Sequence, residues 1–96
     1  ILGYQAHMGA GAITSNVKGD RSQVILRLGT DRVETGLKKL GALIGDGAEI
    51  GCNSVLNPGS IIGRNTQVYP LTMVRGLIPP NCIYKQTGEI VAKVTT

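Results

Sequence analysis

Apolar positions recur along this chain with a period of six. From Ile44 onward every sixth residue is aliphatic, through Ile50, Leu56, Ile62, Val68 and Val74. Four residues after each stand Ala48, Ser54, Ser60, Thr66, Thr72 and Ile78, nearly all small. Glycine follows the aliphatic residue at Gly45, Gly51 and Gly63. A six-residue period is neither the 3.6 of an α-helix nor the 2 of a lone strand. It fits a short strand followed by a turn, with three such units closing one triangular coil. Each aliphatic then points inward and stacks on its counterpart about 4.8 Å away in the next coil. The small residue points inward near the corner, and glycine at the second position relieves crowding at the turn.

The same phase opens the chain. Leu2 and Met8 are the aliphatics, Ala6 and Ala12 the small residues, and Gly3 and Gly9 the glycines between them. The spacing from Met8 to Ile44 is a whole number of hexads, so the phase survives the irregular stretch between. Residues 1–16 are thus expected to form most of one coil and residues 41–78 about two more. Residues 17–40 leave the wall as an excursion. Within it, Val24–Leu28 is β-rich, Gly29-Thr30-Asp31 signals a turn and Arg32–Thr35 reads as a return strand, which together predict a hairpin. Pro79-Pro80 ends the regular winding, because proline cannot donate to a strand ladder. Cys82–Lys85 and Ile90–Val94 flank Gln86-Thr87-Gly88-Glu89, so residues 81–96 read as a second hairpin over the open end. The expected class is all-β, a parallel β-helix of one domain over 1–96, with an inserted and a C-terminal hairpin. Coil arrays need terminal caps. The bare first coil therefore carries the expectation that Ile1 continues an upstream coil of a longer chain, whose C-terminal part this is.

Composition narrows the function classes. The chain of 96 residues has no Trp, no Phe and three Tyr, against 14 Gly and only 17% charged residues. That excludes an aromatic core and does not resemble a disordered chain. The net charge of +4 is spread without a run. Nucleic-acid binding needs a basic stripe with stacking aromatics, so a ligand carrying a few phosphates fits better. Cys52 and Cys82 make no disulfide framework or metal spacing, consistent with a reducing, cytoplasmic setting. No apolar stretch approaches the 18 or so residues of a membrane span. A lone His7 excludes a three-histidine zinc centre, and no metal site is expected.

Met8–Asn16, MGAGAITSN, is similar to the GAGTITCN-type stretch of bifunctional UDP-N-acetylglucosamine pyrophosphorylase / glucosamine-1-phosphate N-acetyltransferases. The excursion, followed by KKLGALIGDGAEIGCNSVLNPGSIIGRNTQVYP, resembles sugar-1-phosphate nucleotidyltransferases that carry a C-terminal β-helix. The resemblance implies left-handed winding, an exception to the right-handed crossover rule. It also implies transfer of an acetyl group from acetyl-CoA to an amino-sugar 1-phosphate, in a homotrimer whose sites lie between neighbouring β-helices. An upstream nucleotidyltransferase domain using Mg²⁺ would accompany it. By the same resemblance Gly9, Ala10 and Gly11 line the coenzyme groove, with Cys52 beside the coenzyme and Pro70 near its wall. His7 stands where the family often has an asparagine that touches the acceptor sugar, Asn16 contacts the acceptor sugar phosphate or the acyl donor, and Lys18 and Arg21 hold the sugar phosphate. Two departures matter: the family's catalytic histidine lies about one coil before the GAG string, upstream of residue 1, and Cys52 and Pro70 replace the family's commoner residues.

The residues themselves keep other roles open. Acyl transfer to an amine needs a general base, usually histidine, and backbone N–H donors for the oxyanion. Gly9–Asn16 offers such donors in outline. Yet His7 also suits a plain corner, Asn16 a turn that satisfies its own backbone, Cys52 a small filler, and Lys38-Lys39 a solvated face. The excursion suits a lid and a subunit contact equally. An enzyme domain, inactive as this fragment alone, therefore stands beside a rival, a non-catalytic oligomerisation or regulatory β-helix on a nucleotidyltransferase.

Overall fold

A computed structural model describes residues 1–28 and 30–93. Thirteen short strands follow one another without a helix: β1 (His7–Met8), β2 (Ile13–Thr14), β3 (Ile25–Leu28), β4 (Asp31–Glu34), β5 (Leu43–Ile44), β6 (Glu49–Ile50), β7 (Val55–Leu56), β8 (Ile61–Ile62), β9 (Gln67–Val68), β10 (Met73–Val74), β11 (Leu77–Ile78), β12 (Cys82–Tyr84) and β13 (Ile90–Ala92). Their pairing closes three faces of a parallel β-helix. One face stacks β5, β8 and β11, with Leu2 bridged to Ile44 below. A second stacks β1, β6, β9 and β12, and the third stacks β2, β7 and β10.

The hexad explains the stack. Ile44, Ile62 and Ile78 lie in register on the first face, Ile50 and Val68 on the second, and Leu56 and Val74 on the third, all buried. Ser54, Ser60, Thr66 and Thr72 fill the corners at full burial. Their hydroxyls donate to backbone carbonyls, as from Ser54 to Tyr69 at 3.0 Å and from Thr66 to Pro79 at 2.6 Å. A buried hydroxyl left unpaired would cost 1–3 kcal/mol or so; here every corner hydroxyl has a partner.

Two features differ from the reading of the sequence. Ile78 falls on the small-residue line by counting, yet it pairs with Ile62 in the aliphatic stack. The turn between Val74 and Ile78 is two residues shorter than its counterparts, and the phase slips there. The glycines that follow Ile44, Ile50 and Ile62 are also required for a different reason. A Cβ at Gly51 would lie 2.4 Å from the Pro70 nitrogen, so glycine permits adjacent coils to approach. The left-handed backbone falls two residues later, at Gly47, Asn53, Gly59, Asn65 and Leu71. Asparagine tolerates that region; leucine does so at a cost.

The excursion forms the expected hairpin of β3 and β4, antiparallel and in register from Ile25–Glu34 to Leu28–Asp31. The turn residue Gly29 lies outside the described residues. Val17 bridges Lys39 where the chain leaves and rejoins the wall. The second hairpin pairs β12 with β13, which adds an antiparallel strand to the second face; Val94 lies outside the described residues.

Outward positions distinguish the three faces. Ile13, Val55 and Met73 form an apolar row on the third face, and Leu43, Ile61 and Leu77 another on the first. On the second face the corresponding row starts polar, His7–Glu49–Gln67, and ends on Ile83.

Candidate functional site

Two concave regions lie at different corners of the coil stack. The smaller, a groove of about 210 Å³, follows the second face around its corner and is lined by His7, Gly9, Glu49, Cys52, Gln67 and Pro70, among others. It exists because the hexad repeats its corner coil after coil, so residues far apart in sequence arrive side by side. Gly9 sits against Cys52 so closely that a Cβ there would lie 2.8 Å from the Cys52 nitrogen. The Gly9 N–H donates to Ile50 O at 2.7 Å, so this amide serves the coil ladder rather than a ligand.

The structure therefore brings His7, Gly9, Cys52 and Pro70 together. Ala10 and Gly11 do not line the groove: the Ala10 carbonyl accepts the Asn53 N–H at 3.0 Å, and Gly11 faces the Asn53 side chain. Cys52 is exposed on the groove wall, where the sequence also allowed a corner filler. Glu49 was not anticipated. It pairs directly with His7 across β1 and β6, which places a carboxylate next to the only histidine. The hexad phase contains that signal, since Glu49 precedes Ile50 as His7 precedes Met8.

The larger region is a cleft of about 540 Å³ between the hairpin and the corner joining the third face to the first. Lys18, Arg27, Arg75, Ser15 and Asn57 line it together with apolar and glycine positions, and no carboxylate does. Val24, fully buried, anchors the base of the hairpin here against the coil. A Cβ at Gly59 would lie 2.9 Å from Val24 Cγ1, so glycine makes room for that anchor. Of the residues expected to hold a sugar phosphate, Lys18 lines this cleft and Arg21 does not. Arg21 is in the left-handed region, and its N–H closes a turn onto the Lys18 carbonyl at 2.9 Å. Asn16 is exposed and its carbonyl accepts the Leu40 N–H at 2.9 Å, which closes the neck of the excursion. Asp20, beside Lys18, accepts the Ser22 N–H at 3.0 Å and its hydroxyl at 2.7 Å. Those bonds, helped by the Lys18 charge, hold its carboxyl below the ordinary range.

Residues 41–76 match the family described as bacterial transferase hexapeptide (six repeats). Over 79 residues the chain is 35% identical to an uncharacterized acetyltransferase, YaiX, of Escherichia coli O6:K15:H31, covering 82% of this chain and 34% of YaiX. It is 31% identical over 74 residues to a bifunctional sugar-1-phosphate nucleotidylyltransferase/acetyltransferase of Sulfurisphaera tokodaii, covering 77% of this chain and 18% of that protein. The chain thus spans about a third or less of these relatives. Its backbone also matches a hexapeptide-repeat acetyltransferase of Vibrio cholerae solved with acetyl coenzyme A. That match has a TM-score of 0.62 at 23% identity, over 95% of this chain and 48% of that one. Repeat and backbone together identify the coils as the left-handed hexapeptide β-helix.

Proposed function

On the premise that residues 41–76 form a hexapeptide-repeat segment of the bacterial transferase type, we propose that this chain is the β-helical part of an acetyltransferase. It moves an acetyl group from acetyl-CoA to the amine of an amino-sugar 1-phosphate, in a protein that also carries a sugar-1-phosphate nucleotidyltransferase domain with its own Mg²⁺. The observation that carries this reading is the groove where His7, Gly9, Cys52 and Pro70 converge from three successive coils. Relatives named as acetyltransferases and as bifunctional nucleotidylyltransferase/acetyltransferases support it.

In chemical terms, the amine of the acceptor attacks the thioester carbonyl, the coenzyme thiolate leaves, and the amine proton passes to a base. Within this chain the His7 imidazole, with Glu49 alongside, faces the groove and orients the acceptor; the base itself is a histidine one coil upstream of Gly9. The groove is smaller than the 300–1,000 Å³ or so of a typical ligand site. It suits the pantetheine arm, with a neighbouring copy in a cytoplasmic homotrimer closing the rest. The outward apolar rows Ile13–Val55–Met73 and Leu43–Ile61–Leu77 provide seats for such neighbours.

Those rows also favour the second reading, a non-catalytic oligomerisation or regulatory β-helix. Coenzyme A release by the full-length protein with glucosamine 1-phosphate separates the two. Turnover is expected, and its absence with every amino-sugar phosphate leaves only the oligomerisation role.

A further inference from the structure

The cleft under the hairpin is built for an anion, and we infer that it binds a phosphomonoester dianion through Lys18, Arg27 and Arg75. Three cations line it without a carboxylate, so their fields add instead of cancelling. Ser15 and Asn57 add neutral hydrogen-bonding groups at the same wall. The Asn57 side chain already donates to Val74 O at 3.0 Å, which holds its amide in place.

A second observation comes from the hairpin. Arg27 lies directly opposite Arg32, a like-charge pair that destabilises an antiparallel ladder. Arg32 turns to Glu34, its carboxylate 3.7 Å away. Among the described residues the ion pairs are that one and Lys85–Glu89, so Arg27, Arg75 and Lys18 enter none. The nearby Asp20 is occupied by Ser22. Arg27 shares its side of β3 with Ile25, and both line the cleft. A bound dianion would relieve the repulsion that folding of the hairpin creates.

The third observation is the shortened turn. Between Val74 and Ile78 the coil lacks two residues that other corners have, and Arg75-Gly76 is what remains. A Cβ at Gly76 would meet nothing within 4 Å, so the wall stands back from the hairpin at this level. Arg75 at the short corner and Arg27 on the hairpin then face one volume of a size that holds a phosphorylated sugar. This site lies at a different corner from the His7–Pro70 groove. The choice of a sugar 1-phosphate and coenzyme A as its ligands rests on the proposed function, whereas phosphate binding here does not require acetyl transfer.

Phosphomonoesters occur both in a sugar 1-phosphate and at the 3′-phosphate of coenzyme A, and calorimetry on the full-length protein distinguishes them. Glucosamine 1-phosphate, glucosamine, coenzyme A and dephospho-coenzyme A are titrated into wild type, Arg27→Gln, Arg75→Gln and the remote control Lys39→Gln, with circular dichroism confirming the fold of each. Loss of a charge-assisted contact should weaken a phosphomonoester ligand by about tenfold. Weakening of glucosamine 1-phosphate alone assigns the phosphate to the sugar; weakening of coenzyme A, with dephospho-coenzyme A unaffected, assigns it to the coenzyme. The inference is overturned if neither arginine variant weakens either ligand, or if Lys39→Gln weakens them equally. Absence of acetyl transfer with phosphate binding intact would refute only the proposed function.

Discussion

Coils 43–76 and the excursion 17–40 owe their order to different things. In the coils each residue class answers to the one above and below it: aliphatic on aliphatic, hydroxyl to carbonyl, glycine beneath backbone. Six residues suffice to describe them, and Leu56 is buried because its neighbours in the stack are. In the hairpin no such repetition operates. Every residue of β4 is exposed, and the attachment depends on Val24 over Gly59 and on the Val17–Lys39 bridge at the neck. The periodic part is the stable scaffold, and the aperiodic part, held at few points, carries cations to a cleft that the scaffold alone would not have.

Breaking the coils should cost most. Leu56→Ala removes a fully buried side chain whose site cannot collapse, at about 2–5 kcal/mol. The melting temperature should fall by roughly 10–20 °C, and a change of only a degree or two would mean that the stack tolerates cavities. Val24→Ala should instead act locally. It loses about 1.5 kcal/mol of burial, and amide exchange across residues 17–40 should speed up while that of the coils stays slow. If the coils exchange faster as well, hairpin and stack form one cooperative unit and the contrast fails.

Leu71 sharpens the comparison from within the coils. It sits at φ 58° and is 62% exposed, where its neighbours in phase are glycine or asparagine. Leu71→Gly should relieve the strained backbone and raise stability by about 0.5 kcal/mol, seen as a small rise in the denaturation midpoint. A fall instead, with loss of self-association in sedimentation, would show that another copy covers Leu71. The smallest effect belongs to the excursion. Asp20 is held below the ordinary carboxylate range mainly by Ser22, so its contribution is fully present above that ordinary range. It is lost as pH falls through the lowered folded value. The Ser22 amide resonance should titrate there while amides of the coils do not move.

Much of this was legible in the sequence. The hexad identified the inward line from Ile44 to Val74 and the small corner residues, because each coil imposes the same local requirement; both hairpins were read instead from β-rich runs flanking turn residues. The phase slip at Arg75-Gly76 was not legible, since counting has no means of detecting a shortened turn when an aliphatic residue lands in the next slot. Resemblance pointed to His7, Gly9, Cys52 and Pro70, which do meet, and to Lys18, which lines the other cleft. Glu49 followed from the same phase as His7 but carries no motif of its own.

By itself the sequence determined the coil: a six-residue period of aliphatic, glycine and small residues leaves the backbone few other ways to bury its apolar side. Only the tertiary structure decided what the coils bring together. Arg27 and Arg75 belong to unrelated segments, and no period connects them. They meet because one turn is short and one glycine, Gly59, lets a valine anchor the hairpin over it. Local pattern can dictate a repeating backbone, but charges gathered across an aperiodic insertion depend on where that insertion packs.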